Sequence, residues 1–239
     1  MIDLHCHLLP GIDDGPETLD EALAMARIAL ENGIEAAHVT PHLHPARWDN
    51  DLPKIAAAVE AYRAALAQAG IPLALGFAAE VRLDYAIVPL IEEGRVPFLG
   101  KLEGYQVMLL EFPHSHVPVG AEEFVAWLLA RNIRPLIAHP ERNKDLMRDP
   151  ARIEPFVGAG CLLQVTADAI AGGFGALCAQ RAREFLERGL VSVIASDAHD
   201  TTGRPPRIAP GRDIAAKIVG AEEARRMTYD TPLRIVRGT

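Results

Sequence analysis

Cysteine is scarce in this chain. Cys6, Cys161 and Cys178 are an odd number with no CxxC spacing, which argues against a disulfide framework or a zinc ribbon and fits a reducing compartment. No apolar run approaches the roughly 18 residues of a membrane span. The start, Met1-Ile2-Asp3-Leu4-His5, lacks the basic and apolar regions of a secretory signal. A cytoplasmic protein without a membrane span is therefore expected. Low-complexity tracts, long like-charge runs and internal repeats are also missing. Positive charge is the minority, with 24 Lys and Arg against 32 Asp and Glu and a formal net charge of -8. General attraction to nucleic acid is disfavoured, although bound cations reverse the field locally.

What the chain does have is length and regular alternation. With 239 residues, 49% of them hydrophobic, it can build a full core, and α/β barrels of roughly 200 to 250 residues commonly form one domain. One domain over residues 1-239 is expected. Short apolar runs alternate with helical patterns, the signature of a parallel sheet with crossover helices. The strands predicted are Ile2 to His5, Ala36 to Thr40, Leu73 to Ala79, Gln106 to Leu110, Pro135 to Ala138, Leu162 to Val165 and Val191 to Ala195. Helices are predicted from Thr18 to Asn32 with a Gly33 cap, from Pro53 through Gln68, and over Tyr85 to Glu93, Glu122 to Asn132, Ile153 to Val157 and Ala176 to Arg188. Stretches near Ile214 to Ile218 and Ala221 to Met227 follow. The segment holding Pro113, His114, His116, Pro118 and Gly120 reads as a loop, as does that holding Gly203, Pro205, Pro206 and Gly211.

The informative fact is where the metal-competent residues fall. His5, His42, Glu80, Glu111, His139 and Asp197 lie at or just beyond the carboxyl ends of six predicted strands, and these ends converge on one mouth of a parallel barrel. His7, Asp13, Asp14 and His199 sit close by. Alternation along His5-Cys6-His7 turns both imidazoles to one face and the thiol to the other. Mixed imidazole and carboxylate ligation suits hydrolytic metals, and a carboxylate such as Glu80 can bridge two cations. Taken singly, an HxH pair or His139 is more simply structural, and Asp13-Asp14 before Gly15-Pro16 could form a turn or cap. His44, His114 and His116 read as loop histidines and His38 as a packed strand residue. Among the cations near the mouth, Arg47, Arg142, Arg204 and Arg207, the two nearest the ligand positions, Arg142 and Arg204, are the candidates for gripping phosphate.

The string Met1-Ile2-Asp3-Leu4-His5-Cys6-His7 with Asp13-Asp14-Gly15-Pro16 resembles the start of the polymerase and histidinol phosphatase (PHP) superfamily. Thr40-Pro41-His42, Ala79-Glu80-Val81, Leu110-Glu111-Phe112-Pro113, Ala138-His139-Pro140-Glu141-Arg142-Asn143, Ala195-Ser196-Asp197-Ala198-His199 and Gly203-Arg204-Pro205-Pro206 are similar to motifs of the bacterial PHP-type protein tyrosine phosphatases of capsule and exopolysaccharide systems. The resemblance implies an α/β fold, a distorted (β/α)7 TIM-like barrel, and a site of three divalent ions, manganese foremost, with iron or zinc as alternatives. It assigns His5, His7, Glu80 and Asp197 to one ion, Glu80, Glu111 and His139 to a second, and Asp14, His42 and His199 to the third. Arg142 and Arg204 match arginines that engage phosphate, and His199 doubles as a weak acid. The implied reaction is in-line attack by a metal-activated hydroxide on the phosphotyrosine of a protein, such as the tail of a cognate bacterial tyrosine kinase. Cys6 stands where relatives often have serine, and Leu43-His44 replaces a basic or histidine pair common after the His42 position.

A cysteine-dependent tyrosine phosphatase needs an arginine six residues after its thiolate, and those positions hold Ile12, Ala167 and Glu184, so that class is excluded. Histidinol phosphatase, or another small-molecule PHP phosphoesterase, is the nearest enzymatic rival. A barrel amidohydrolase usually adds a strand-end lysine, and none of Lys54, Lys101, Lys144 and Lys217 sits at such an end. The non-enzymatic alternative is a metal-stabilised module that binds a kinase. The oligomeric state is not legible in the sequence.

Overall fold

The computed structural model describes all of residues 1-239. Its strands are β1 (Ile2–Cys6), β2 (Ala36–Val39), β3 (His42–Leu43), β4 (Ala74–Phe77), β5 (Glu80–Arg82), β6 (Gly100–Leu102), β7 (Tyr105–Glu111), β8 (Ile133–Ala138), β9 (Leu162–Thr166) and β10 (Val193–Ala195). They reduce to seven barrel staves and one accessory strand. β2 and β3 are one stave interrupted at Thr40-Pro41, where proline offers no N–H to the ladder. β4 and β5 are another, interrupted at Ala78-Ala79. Bonds from Thr40 N to Cys6 O, Ala78 N to Val39 O and Glu80 N to Pro41 O carry the pairing across both breaks.

All seven staves run parallel, in the order β1, β2/β3, β4/β5, β7, β8, β9, β10. The ring closes where His7 N donates to Ala198 O and Asp197 N to His5 O, beside a parallel bridge between Cys6 and Ala198. The expected seven-stave barrel is thus the observed one. β6 is the addition: it pairs antiparallel with β7, and no patterning marked its three residues as a strand.

Side-chain alternation divides the interior. Leu4, Val107, Leu109, Leu136, Ala138, Val193 and Ala195 point inward and meet as one apolar layer with Leu99, Leu102 and Ile235. A larger apolar cluster fills the space between barrel and helices and includes Cys6, Met25, Tyr62, Phe156 and Phe185, so the Cys6 thiol faces away from the interior as expected. Strand β1 serves both layers through a bulge. Its register runs Ile2 to Ala36 and Asp3 to Ala37, but Cys6 pairs with Val39, so Leu4 and His5 together face one residue of β2. The extra residue resets the alternation. Leu4 therefore joins the apolar layer while His5 and His7 also face inward above it.

The two longest helices start where side chains satisfy their free amides. Thr18 caps Leu19–Glu31, and Asp51 caps Leu52–Gln68 with Pro53 in the first turn. The stretch expected near Ile214 to Ile218 is longer, Ala209–Val219, because proline is tolerated in a first turn and Gly211 permits close packing on Ala167, whose backbone any Cβ there would strike. The chain ends in a helix, Thr231–Arg237, that was not expected; its Ile235 seals the amino-terminal end of the barrel. No helix is long and apolar enough to cross a membrane.

Candidate metal centre

At the opposite, carboxyl-terminal end the inward positions change from apolar to ionisable. His5 and His7 come from β1 and its end, His42 opens β3, Glu80 opens β5, Glu111 ends β7, and His139, Asp197 and His199 follow β8 and β10. Parallel register sets His42 directly beside Glu80 and Arg82 beside Glu111. Asp14 reaches in from the loop after β1. His139 and Asp197 occupy left-handed backbone, with φ of 33° and 52°, a conformation costly for non-glycine residues that persists where surrounding structure enforces it.

All nine expected ligands are brought together, and their atoms converge in four overlapping groups: His7, Asp14, His42 and His199; His5, His7 and Glu80; His5, His139 and Asp197; and His42, Glu80 and Glu111. These groups cut across the division implied by the family resemblance. His139 lies with His5 and Asp197 as well as 2.8 Å from Glu80, and Glu111 lies with His42. Around Glu80, the His5 and His7 Nε2 atoms are each 3.3 Å from a carboxylate oxygen and His42 Nδ1 is 2.9 Å away.

Three features fit cations among these donors. First, Glu80 Oε2 is buried with no hydrogen-bond geometry to any partner despite those close nitrogens, so the lone pairs aim at shared space rather than at each other. Second, His5 Nε2 and His7 Nε2 face one another at 3.4 Å, while the far nitrogens are committed. His5 Nδ1 donates to Gln164 Oε1 at 2.8 Å, His7 Nδ1 to Asp13 Oδ2 at 2.6 Å, and His199 Nδ1 to the Asp197 carbonyl at 3.0 Å. Such bonds fix the tautomer that leaves Nε2 free to ligate.

Third, the charge balance calls for cations. Burial opposes charge on His7, yet Asp13 lifts its pKa to about 9, and on His42 the pull of Glu80 and Asp14 likewise overcomes burial and lifts it to about 11. Burial also disfavours the Glu80 and Asp197 anions, but neighbouring His5, together with His42 for Glu80 and Arg142 and Arg204 for Asp197, holds both well below the ordinary carboxylate range. His139, by contrast, is kept neutral by burial and by the charge of Arg142, which push its pKa to about 4. Four carboxylates thus draw positive charge into a pocket where His139 is already neutral.

The cluster floors a cavity of about 350 Å³ whose walls add His44, Arg47, Trp48, Arg82, His114, Arg142 and Arg204. Arg142 and Arg204 both bond Oδ2 of Asp197, the latter at 2.5 Å, while Oδ1 of the same carboxylate faces His5 Nε2 at 3.3 Å. One carboxylate therefore joins the ligand cluster to the pair of guanidinium forks. Arg207 lies outside this cavity. Of the histidines set aside as loop residues, His114 is at the wall, 3.0 Å from Arg142 and 3.3 Å from Glu111, and His44 lines it too; His116 instead bonds Ser115. His38 packs against Gly76 below the site.

Sequence reading left the role of Asp13 open and missed Gln164 and Trp48. Asp13 makes the turn, accepting from Gly15 N, and also orients His7 and accepts from His42 N. Gln164, fully buried, accepts from both His5 and His139 N. Trp48 stacks on His42, centroids 4.5 Å apart, and the Arg47 Cζ lies over the Trp48 ring, 3.9 Å from its centroid. A lone amide in a strand carried no signal; a carboxylate three residues before a proline was at least a candidate.

Similarity to known proteins follows the whole length of the chain. It is 30% identical over 233 residues to the tyrosine-protein phosphatase YwqE of Bacillus subtilis, covering 98% of this chain and 91% of the relative. It is 28% identical to the tyrosine-protein phosphatase CpsB of Streptococcus pneumoniae, covering 99% and 98%. A solved structure from work on YwqE and CpsB, described as metal-dependent tyrosine phosphatases, superposes with a TM-score of 0.91 at 30% identity, over 100% of this chain and 95% of that one. The phosphotriesterase homology protein of Escherichia coli shares the fold alone, with a TM-score of 0.59 at 11% identity over 98% of each chain. The family of capsular polysaccharide synthesis proteins CpsB/CapC matches residues 1–237, and this chain belongs to it.

Proposed function

We propose that the chain is a single-domain, metal-dependent protein-tyrosine phosphatase that acts in the cytoplasm on a phosphotyrosine protein, the tail of a cognate polysaccharide-assembly kinase. The observation that carries this reading is the double engagement of Asp197, one oxygen among the imidazoles and the other between Arg142 and Arg204. His5, His7, Asp14, His42, Glu80, Glu111, His139, Asp197 and His199 would hold three divalent ions, manganese foremost and iron or zinc as alternatives. When bound, such ions lower the pKa of water and neutralise charge on phosphoryl oxygens.

The remaining work falls to the protein's own groups. Arg142 and Arg204 present two forks, held by Asp197 before substrate arrives, to the oxygens of the incoming phosphate, which supplies orientation and charge stabilisation without reorganisation. Of the two roles expected of His199, its geometry favours ligation over acid catalysis. Its Nδ1 proton is committed to the Asp197 carbonyl and its Nε2 points at Asp14, 3.3 Å away, so no free proton faces a leaving group. Tyrosinate, with a reference pKa near 10, departs far more readily than a serine alkoxide. Preference for aryl over alkyl phosphates then follows from leaving-group reactivity.

The test is a metal-loaded assay with Mn, Fe and Zn in turn on phosphotyrosine and phosphoserine peptides, histidinol phosphate and a sugar phosphate, with His139→Ala as control. Preference for phosphotyrosine, lost in the variant, is expected. Preference for histidinol phosphate would replace the reading with its enzymatic rival. No turnover in protein shown to carry two or more equivalents of metal would favour the kinase-binding module.

A further inference from the structure

We propose that Phe174 is a positioning residue for the phosphate-gripping arginines; the proposal rests on the phosphatase reading for what those arginines grip. Phe174 lies in the loop between the helices Ala167–Ala171 and Ala176–Glu187. From 171 to 177, across that loop and the adjoining helix ends, every residue is exposed except Phe174. Glycines shape its approach: Gly172 and Gly175 take φ of +103° and +90°, and a Cβ on Gly173 would strike the Asp168 carboxylate. The loop is thus built to turn one aromatic side chain inward.

What the ring meets is both guanidinium groups. The Arg142 Cζ lies 4.5 Å and the Arg204 Cζ 5.7 Å from its centroid, within the range of cation–π attraction. Both arginines also bond the single oxygen Asp197 Oδ2. Phe174 does not line the main cavity; it lines a smaller one of about 170 Å³ that shares Arg204 as a common wall. The phenyl group accordingly stands behind the forks and not in the path of substrate.

The choice of a neutral aromatic has a physical reason. Two like charges converging on one carboxylate oxygen repel each other, and arginine has several torsions by which to swing away. A second carboxylate behind them would restrain the pair but neutralise the charge that phosphate needs. The negative face of a phenyl quadrupole attracts both cations while leaving their net charge intact.

The experiment uses the manganese-loaded full chain as Phe174→Leu and Phe174→Tyr. Three quantities are measured: inorganic phosphate affinity by calorimetry, KM and kcat on p-nitrophenyl phosphate, and metal content. Phe174→Leu, which keeps apolar bulk but loses the quadrupole, is expected to weaken phosphate binding roughly tenfold, the scale of two modest cation–π pairs, with metal content unchanged. Phe174→Tyr should stay within about threefold of the native protein. Native-like phosphate affinity in Phe174→Leu, equal impairment of both variants, loss of metal, or failure of Phe174→Leu to fold would each overturn the proposal. Because phosphate affinity is read without turnover, an inactive native enzyme would sink the phosphatase reading and leave this test standing.

Discussion

The two ends of the barrel interior are built from the same strands, yet they do opposite things. At the amino-terminal end Leu4, Val107, Leu109, Leu136 and Val193 are fully buried among one another, and at the carboxyl-terminal end His5, His7, Glu80 and Asp197 are buried just as completely. Burying a large apolar side chain contributes about 1.5 to 3 kcal/mol, whereas burying an unpaired charge costs several. The first layer is a source of stability and the second a draw upon it, offset by mutual pairing and by bound cations. The comparison teaches that this fold separates holding together from doing chemistry by a few residues along each strand.

Glu80→Ala should break the contrast most severely, because Glu80 touches His5, His7, His42 and His139 at once. We expect kcat/KM on an aryl phosphate to fall on the order of 10³-fold or more, beyond the roughly 10²- to 10³-fold loss typical of removing one stabilising group. Added Mn²⁺ is expected to raise the unfolding midpoint of the native protein, and that rise should shrink in parallel in the variant. Retained activity at full metal occupancy would refute a shared role for this carboxylate.

Leu109→Ala asks the converse question of the apolar layer. Its cavity should cost about 2 to 5 kcal/mol of unfolding free energy, read from denaturant titration, while the specific activity of folded enzyme stays close to native. If activity fell with stability held, the two layers would not be separable.

Gln164→Leu sits at the boundary. Removing the acceptor that fixes the His5 tautomer is expected to weaken metal affinity about 10- to 100-fold, measured by competition with a chromophoric chelator, with a small change in metal-free stability. Unchanged affinity would mean that packing alone orients the His5 ring.

The smallest effect concerns His38, the one ionisable side chain that packs beneath the site against Gly76. Burial and nearby Arg63 push its pKa down to about 4 from the ordinary 6.5. A histidine held neutral when folded binds fewer protons than when unfolded between these values, so stability falls as pH drops from about 6.5 toward 4. His38→Gln should flatten that slope in metal-free thermal melts, where no metal ligation competes. An unaltered slope would assign acid sensitivity to the upper cluster instead.

Much of this contrast was written in residue types. Runs such as Val107 to Leu110 and Pro135 to Ala138 mark buried strands, and Glu111 and His139 just beyond them announce where polarity returns. The breaks at Thr40-Pro41 and Ala78-Ala79 were less legible, because alternation on either side continues and only the ladder shows the pause. The bulge at Leu4-His5 was invisible for a similar reason: it changes which face a residue takes without changing any residue. Left-handed backbone at His139 and Asp197 could not be foreseen, since local preference opposes it.

The sequence by itself determined the number of barrel staves and the mouth at which the ionisable groups emerge, because strand length, side-chain alternation and residue chemistry are local properties. Tertiary structure alone decided which donors share an atom's reach, that Gln164 and Asp13 turn the imidazoles, and that Phe174 comes to lie behind Arg142 and Arg204. Those outcomes depend on the register and curvature of strands and loops far apart in the chain, and no local pattern encodes a distance between them.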